Sequence, residues 1–181
     1  MREAERRELL RYAREVLAAK LAGRPLPSPP RGGAFDEPRG AFVTLKRGGE
    51  LRGCIGRVVA DRPLGEVIRD MAVEAAFRDP RFPPLAPGEL DEVEIEISVL
   101  SPFEKVKSEE EIEVGRDGLM LVLGYRSGLL LPQVPVEWNW DREEFLRHLC
   151  AKAGLPPGAH RHPEAELYRF TAEVFSESDF S

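Results

Sequence analysis

Leu10, Ala13, Leu17 and Leu21 recur at the spacing of a helix face, with charged residues between them and Gly23 placed to end the run. The pattern predicts an amphipathic helix over about residues 3–21. Residues 22–38 are rich in proline and glycine and poor in apolar side chains, which predicts an extended surface loop. Two strand-like runs, 41–47 and 51–59, flank Gly48-Gly49, a dipeptide that tolerates the positive φ angles of a tight hairpin turn. Leu64, Val67, Ile68, Met71, Ala72 and Ala75 then form a second helical stripe, with Pro63 suited to its start and Asp79-Pro80 to its end.

From Val93 to Val99 apolar residues alternate with Glu94, Glu96 and Ser98, the signature of a strand with one buried and one solvated face. Ser108 with Glu111 forms a short capping box, and 118–125 with 127–131 reads as a second hairpin. Asp141 and Glu144 box the start of a helix whose stripe, Phe145, Leu146, Leu149, Cys150 and Ala153, runs to Gly154. Tyr168 to Phe175 reads as one last strand. Strands mixed with separated helices, without regular βαβ alternation, predict an α+β fold.

The chain has 181 residues, 42% of them hydrophobic and 32% charged, enough for one globular domain of one or two lobes spanning residues 1–181. A net charge of −6 gives no overall basic footprint for nucleic acid. Two cysteines form no disulfide framework, and the charged start Met1-Arg2-Glu3-Ala4-Glu5 is unlike a secretory signal, so a cytoplasmic location is expected. The apolar runs fall short of the roughly 18 residues that cross a bilayer.

Chemistry concentrates in Leu51-Arg52-Gly53-Cys54-Ile55-Gly56. Strand alternation puts Arg52, Cys54 and Gly56 on one face, where a permanent cation beside a thiol would favour the nucleophilic, metal-binding thiolate. Gly53 and Gly56 would admit a ligand or another backbone, or allow a bulge that re-aims the cysteine. The plainer alternative is a small buried thiol, packing glycines and an arginine paired to a carboxylate. Arg78 and Arg81, set among prolines with Phe82, suit an anionic or peptide ligand, or else pair internally in a rigid connection. In 131–137 the prolines direct the chain along a sheet edge or out of the sheet. That leaves Gln133 and Glu137 as exposed candidates, Glu137 as a general base for a thiol.

Cys150 lies on an apolar stripe and reads as core. His160 and His162 read as surface-loop residues and His148 as a boundary residue, while Trp138 and Trp140 are expected to pack against the following helix. Glu94 and Glu96 read as a solvated strand face. No phosphate loop, Walker pattern or zinc-ligand constellation occurs, so no cofactor and no metal is expected.

The segments LRGCIG at 51–56, AAFRDPRFPPL at 75–85, EISVLSP at 96–102 and SGLLLPQVPVEWNWDREEFLRHLCAKAGL at 127–155 together resemble the AMMECR-domain proteins. The resemblance runs from about Arg39 to Phe175. It implies an α+β domain with a central antiparallel sheet, flanking helices, and a larger and a smaller lobe around a cleft. It also implies a place in the AmmeMemoRadiSam system beside a Memo-like and a radical SAM protein, without implying a reaction. Arg57 departs from the small residue that many relatives carry there. Three functions follow in order: an accessory module binding those partners through the LRGCIG hairpin; an enzyme or small-ligand binder using Cys54 as nucleophile or redox thiol with Arg52; and a nucleic-acid-associated regulator, drawn from arginines 47, 52, 57, 62, 78 and 81.

Overall fold

A computed structural model describes residues 1–181 as an α+β chain in two compact units, Met1–Leu100 with Glu173–Ser181, and Ser101–Ala172. In the first unit, helix α1 (Glu3–Leu21) buries Leu9, Ala13, Val16 and Leu17, and α2 (Leu64–Phe77) buries Val67, Ile68, Ala72 and Ala75. Both pack on a four-stranded antiparallel sheet containing β1 (Ala41–Arg47), β2 (Glu50–Arg57), β3 (Val93–Leu100) and β8 (Ala172–Ser176), ordered β2-β1-β3-β8. Val43, Leu45, Ile95 and Ile97 alternate onto the helix side and are completely buried, each contributing about 2 kcal/mol of transfer free energy. Gly48 and Gly49 turn the first hairpin with φ of 59° and 80°, as their sequence predicts.

The proline-rich segment is held down more firmly than a surface loop. A 3-10 turn at Gly33–Asp36 drops Phe35 into the core, and the Tyr12 hydroxyl donates to the Pro27 carbonyl at 2.8 Å. Burial pushes that phenol up to about 12.

The second unit has its own antiparallel sheet, so the strands are shared between two sheets and not gathered into one central sheet. Its members are β4 (Glu104–Lys105), β5 (Gly118–Leu123), β6 (Arg126–Leu130) and β7 (Glu166–Phe170), ordered β4-β7-β5-β6. Helix α4 (Arg142–Lys152) starts at the expected box: Asp141 Oδ1 accepts from the Glu144 N–H at 2.8 Å, and Glu144 Oε1 from the Asp141 N–H at 3.3 Å. Phe145, Leu149 and Cys150 close the core over Leu119 and Leu121. The last predicted strand is in fact two. At Thr171 the chain leaves the second sheet, its N–H donating to Ser101 Oγ at 2.8 Å and its carbonyl accepting from the Ser101 N–H at 2.8 Å, and β8 then joins the first. Alternation cannot reveal such a break, because the pattern continues on both sides of it. No helix is long and apolar enough to cross a membrane.

Candidate functional site

The LRGCIG segment lies in β2, an edge strand. Leu45 faces Gly53 and Lys46 faces Leu51, so Arg52 is an extra residue, a β-bulge that breaks simple alternation. The bulged Arg52 is only 7% exposed and does not attend the thiol. Its Nε and Nη2 donate to the Glu89 carboxylate at 2.9 and 3.1 Å, and Nη2 also donates to the Pro83 carbonyl at 2.9 Å. Glu89 is thereby held down at about 2. Of the two readings of Arg52, beside the thiol or paired to a carboxylate, the structure shows the second.

Both glycines are required by close neighbours. A Cβ on Gly53 would fall 2.2 Å from the carbonyl oxygen of Ala75, where the last turn of α2 crosses the strand. A Cβ on Gly56 would enter the ring of Phe42, which faces it from β1. The glycines admit a helix backbone and an aromatic ring of the protein itself.

Cys54 is half-buried opposite Thr44, whose hydroxyl donates to Sγ at 3.2 Å. The thiol is nevertheless pushed up from its ordinary value, because burial outweighs the Thr44 hydrogen bond and the attraction of Arg81, while Asp79 and Glu96 add to the rise. Arg81, not Arg52, is therefore the cation near this sulfur. Glu96 is also less solvated than its pattern suggests, since Lys46 Nζ donates to it at 3.1 Å across the strands. Ser98 on the same strand is buried.

Asp79-Pro80-Arg81 clamps the outer edge of β2 at Cys54. Asp79 Oδ2 accepts from the Cys54 N–H at 3.0 Å, and Arg81 Nη2 donates to the Cys54 carbonyl at 3.3 Å. The two side chains are joined to each other at 2.7 Å and 3.0 Å. Arg81, together with the Cys54 and Arg81 amides, holds the buried Asp79 carboxyl well below the usual carboxylate range. Charged side chains here occupy the place of a neighbouring strand's backbone.

Beyond the clamp lies a groove of about 620 Å³ between β2 and α2, floored by Ile55, Met71 and Val73 and bordered by Gly56, Arg57 and Val59. Arg57 thus lines it, its guanidinium paired to Asp61 at 2.7 Å. Arg78 also borders it, joined to Glu74 at 3.5 Å. All six arginines that suggested nucleic acid have carboxylate partners: Arg47, Arg52, Arg57, Arg62, Arg78 and Arg81.

The second unit holds the other candidates. Glu137 ends a single helical turn, α3 (Val134–Glu137), and is exposed. Gln133 precedes that turn and, contrary to expectation, buries its Oε1 without a hydrogen-bond partner. Trp140 stacks on His148 with centroids 3.8 Å apart, as packing against α4 requires, but Trp138 stays 68% exposed. His160 is not a surface residue: its Nδ1 lies 3.5 Å from Cys150 Sγ and its Nε2 2.7 Å from Glu109 Oε1. Cys150 is fully buried, as its stripe predicts, and the Cys-His-Glu line runs from it through His160 to the partly exposed Glu109, each polar group having a partner. Only the position of Cys150 near the helix end hinted at it; Glu109, far back in the chain, gave no signal. No group of three or more His, Cys, Asp and Glu residues is arranged to hold a metal ion.

The profile of the AMMECR1 family matches residues 10–175. Protein MJ0810 of Methanocaldococcus jannaschii is 46% identical over 176 residues, spanning 93% of this chain and 88% of that protein. Protein TK0174 of Thermococcus kodakarensis is 48% identical over 181 residues, with the same coverage of 93% and 88%. The crystal structure of the uncharacterized protein PH0010 from Pyrococcus horikoshii superposes with a TM-score of 0.86 at 44% identity, covering 93% of this chain and 89% of that one.

Proposed function

The chain belongs to the AMMECR1 family, and from that membership we propose that it is an accessory protein that binds a Memo-like and a radical SAM protein through the hairpin carrying LRGCIG. The partners come from the family resemblance. One observation supports binding over catalysis: each charged group around the motif is already engaged within the chain. Arg52 is tied to Glu89 and Arg81 to Asp79, and the Cys54 thiol is pushed up. A nucleophilic cysteine needs the reverse, a base or a free cation that lowers its pKa. What the hairpin and the residues just after it offer outward is a backbone edge with exposed apolar side chains, Leu51 at 43% and Val59 at 59%.

Sedimentation velocity of the full chain mixed with the Memo-like protein, the radical SAM protein, and both, at micromolar concentration, tests this reading. A faster-sedimenting complex with at least one partner is expected, and L51D should weaken it by about tenfold or more without altering the fold. Absence of a complex in all three mixtures would refute the proposal.

A further inference from the structure

The thiol cluster, the Cys150–His160–Glu109 line and the Trp138 surface each end in satisfied contacts or lack anything that selects a ligand; the β2 edge does not. In an antiparallel pair, residues alternate between facing their backbone N–H and C=O into the pair and facing them away. The Cys54 N–H and C=O are taken by Asp79 and Arg81, so Cys54 faces outward and its pairing with Thr44 is of the non-hydrogen-bonded kind. Gly56, two residues on and opposite Phe42, must face outward too. Neither its N–H nor its C=O has a hydrogen-bond partner beyond the β1–β2 pair. The chain fills one position of its own edge with charged side chains and leaves the next one open, beside the groove whose apolar floor is Ile55, Met71 and Val73.

We propose that this edge takes an extended, uncharged segment of a partner protein as an added strand, hydrogen-bonded at Gly56 and placing alternate apolar side chains in the β2–α2 groove. The backbone groups call for an extended main chain, and the groove floor calls for apolar side chains at every second position. Charge selects further. The charged residues that line the groove, Arg57, Arg78, Asp70 and Glu74, are two of each sign, and each is ion-paired within the chain, Arg57 to Asp61, Arg78 to Glu74 and Asp70 to Arg62 and Arg69, leaving no unmatched charge in the lining to recruit an acidic or basic peptide. Val59 and Leu26, exposed at 59% and 37%, form apolar lips that such a segment would cover. The segment resembles the clamp in its bonding, accepting from one backbone N–H and donating to one C=O, but it uses its own main chain.

This inference deepens the partner-binding reading, and its test is independent of any named partner. The probes are an acetylated, amidated peptide of about eight residues, a usual strand length, alternating valine and threonine, and the same peptide N-methylated at every residue so that neither edge can donate. Amide exchange of the full chain is followed by NMR. The unmodified peptide is expected to slow exchange at the Gly56 amide by about tenfold or more, and V59D to lower its affinity by a similar factor. The methylated peptide should do neither. Unchanged exchange at Gly56 with millimolar unmodified peptide, or equal binding of the two peptides, would overturn the inference. Should a partner complex form while V59D and Gly56 exchange are indifferent to it, the accessory role stands and this site does not.

Discussion

Replacing Gly53 with alanine is expected to destabilise the first unit by about 3 kcal/mol, at the upper end of the usual overpacking range. The added Cβ would lie 2.2 Å from the Ala75 carbonyl oxygen and 3.1 Å from its carbon, both backbone atoms of α2. No rotamer change can relieve a clash with backbone, so either β2 or the last turn of α2 must move. Both belong to one close-packed core with Ala72, Val43 and Leu45. In thermal unfolding this corresponds to a fall in Tm of roughly 6–12 °C for a chain of this size. Gly88→Ala is the control, since a Cβ there meets nothing within 4 Å and should change stability by less than about 0.5 kcal/mol. Equal melting of the two variants would show that α2 does not press on the strand as described.

The second large effect belongs to the clamp. Asp79→Asn replaces a buried carboxylate with an amide whose NH2 group faces donors: Asp79 accepts from the Cys54 N–H, the Arg81 N–H, and Arg81 Nε and Nη2. Loss of a charged acceptor of this kind costs about 2 kcal/mol, moderated because half-exposed Arg81 can turn into water. The sign of the pH dependence follows from the depressed carboxyl. Its folded-state value lies below its unfolded one, so its contribution is complete at neutral pH and is lost as pH falls below about 4. Glu89, held at about 2 by Arg52, adds to the loss over the same acidic range. Urea unfolding from pH 7 to pH 2.5 should therefore show wild type and Asp79→Asn differing most at neutral pH and converging in acid. A constant difference across the range would mean that the charge of Asp79 contributes nothing.

Local patterns carried much of the fold. The stripe of α1, the Gly48-Gly49 turn, the stripe of α2 and the Asp141–Glu144 box are each set by residues within a turn or two of one another, and short-range periodicity reports such order faithfully. Features that depend on distant partners were not legible. The bulge at Arg52 shows itself only once β1 is aligned beside β2, and the loss of Arg52 to Glu89 needs a residue 37 positions away. The change of sheet at Thr171 depends on Ser101, 70 positions back. His160 looked like a loop residue because Glu109, which holds it, lies 51 positions earlier. At the site itself, the sequence located LRGCIG and its neighbour Arg81. It could not assign the cation to the thiol, because that choice turned on the bulge.

Whether the hairpin is a fixed binding edge or an activated thiol is decided most directly by the pH dependence of Cys54 alkylation in the folded protein, read by mass spectrometry against buried Cys150. A thiol pushed up by burial should label slowly at neutral pH and accelerate only above the ordinary thiol value of about 8.5, while Cys150 stays unlabelled. Rapid labelling of Cys54 that persists to pH 6 would contradict it and return Cys54 to the role of nucleophile.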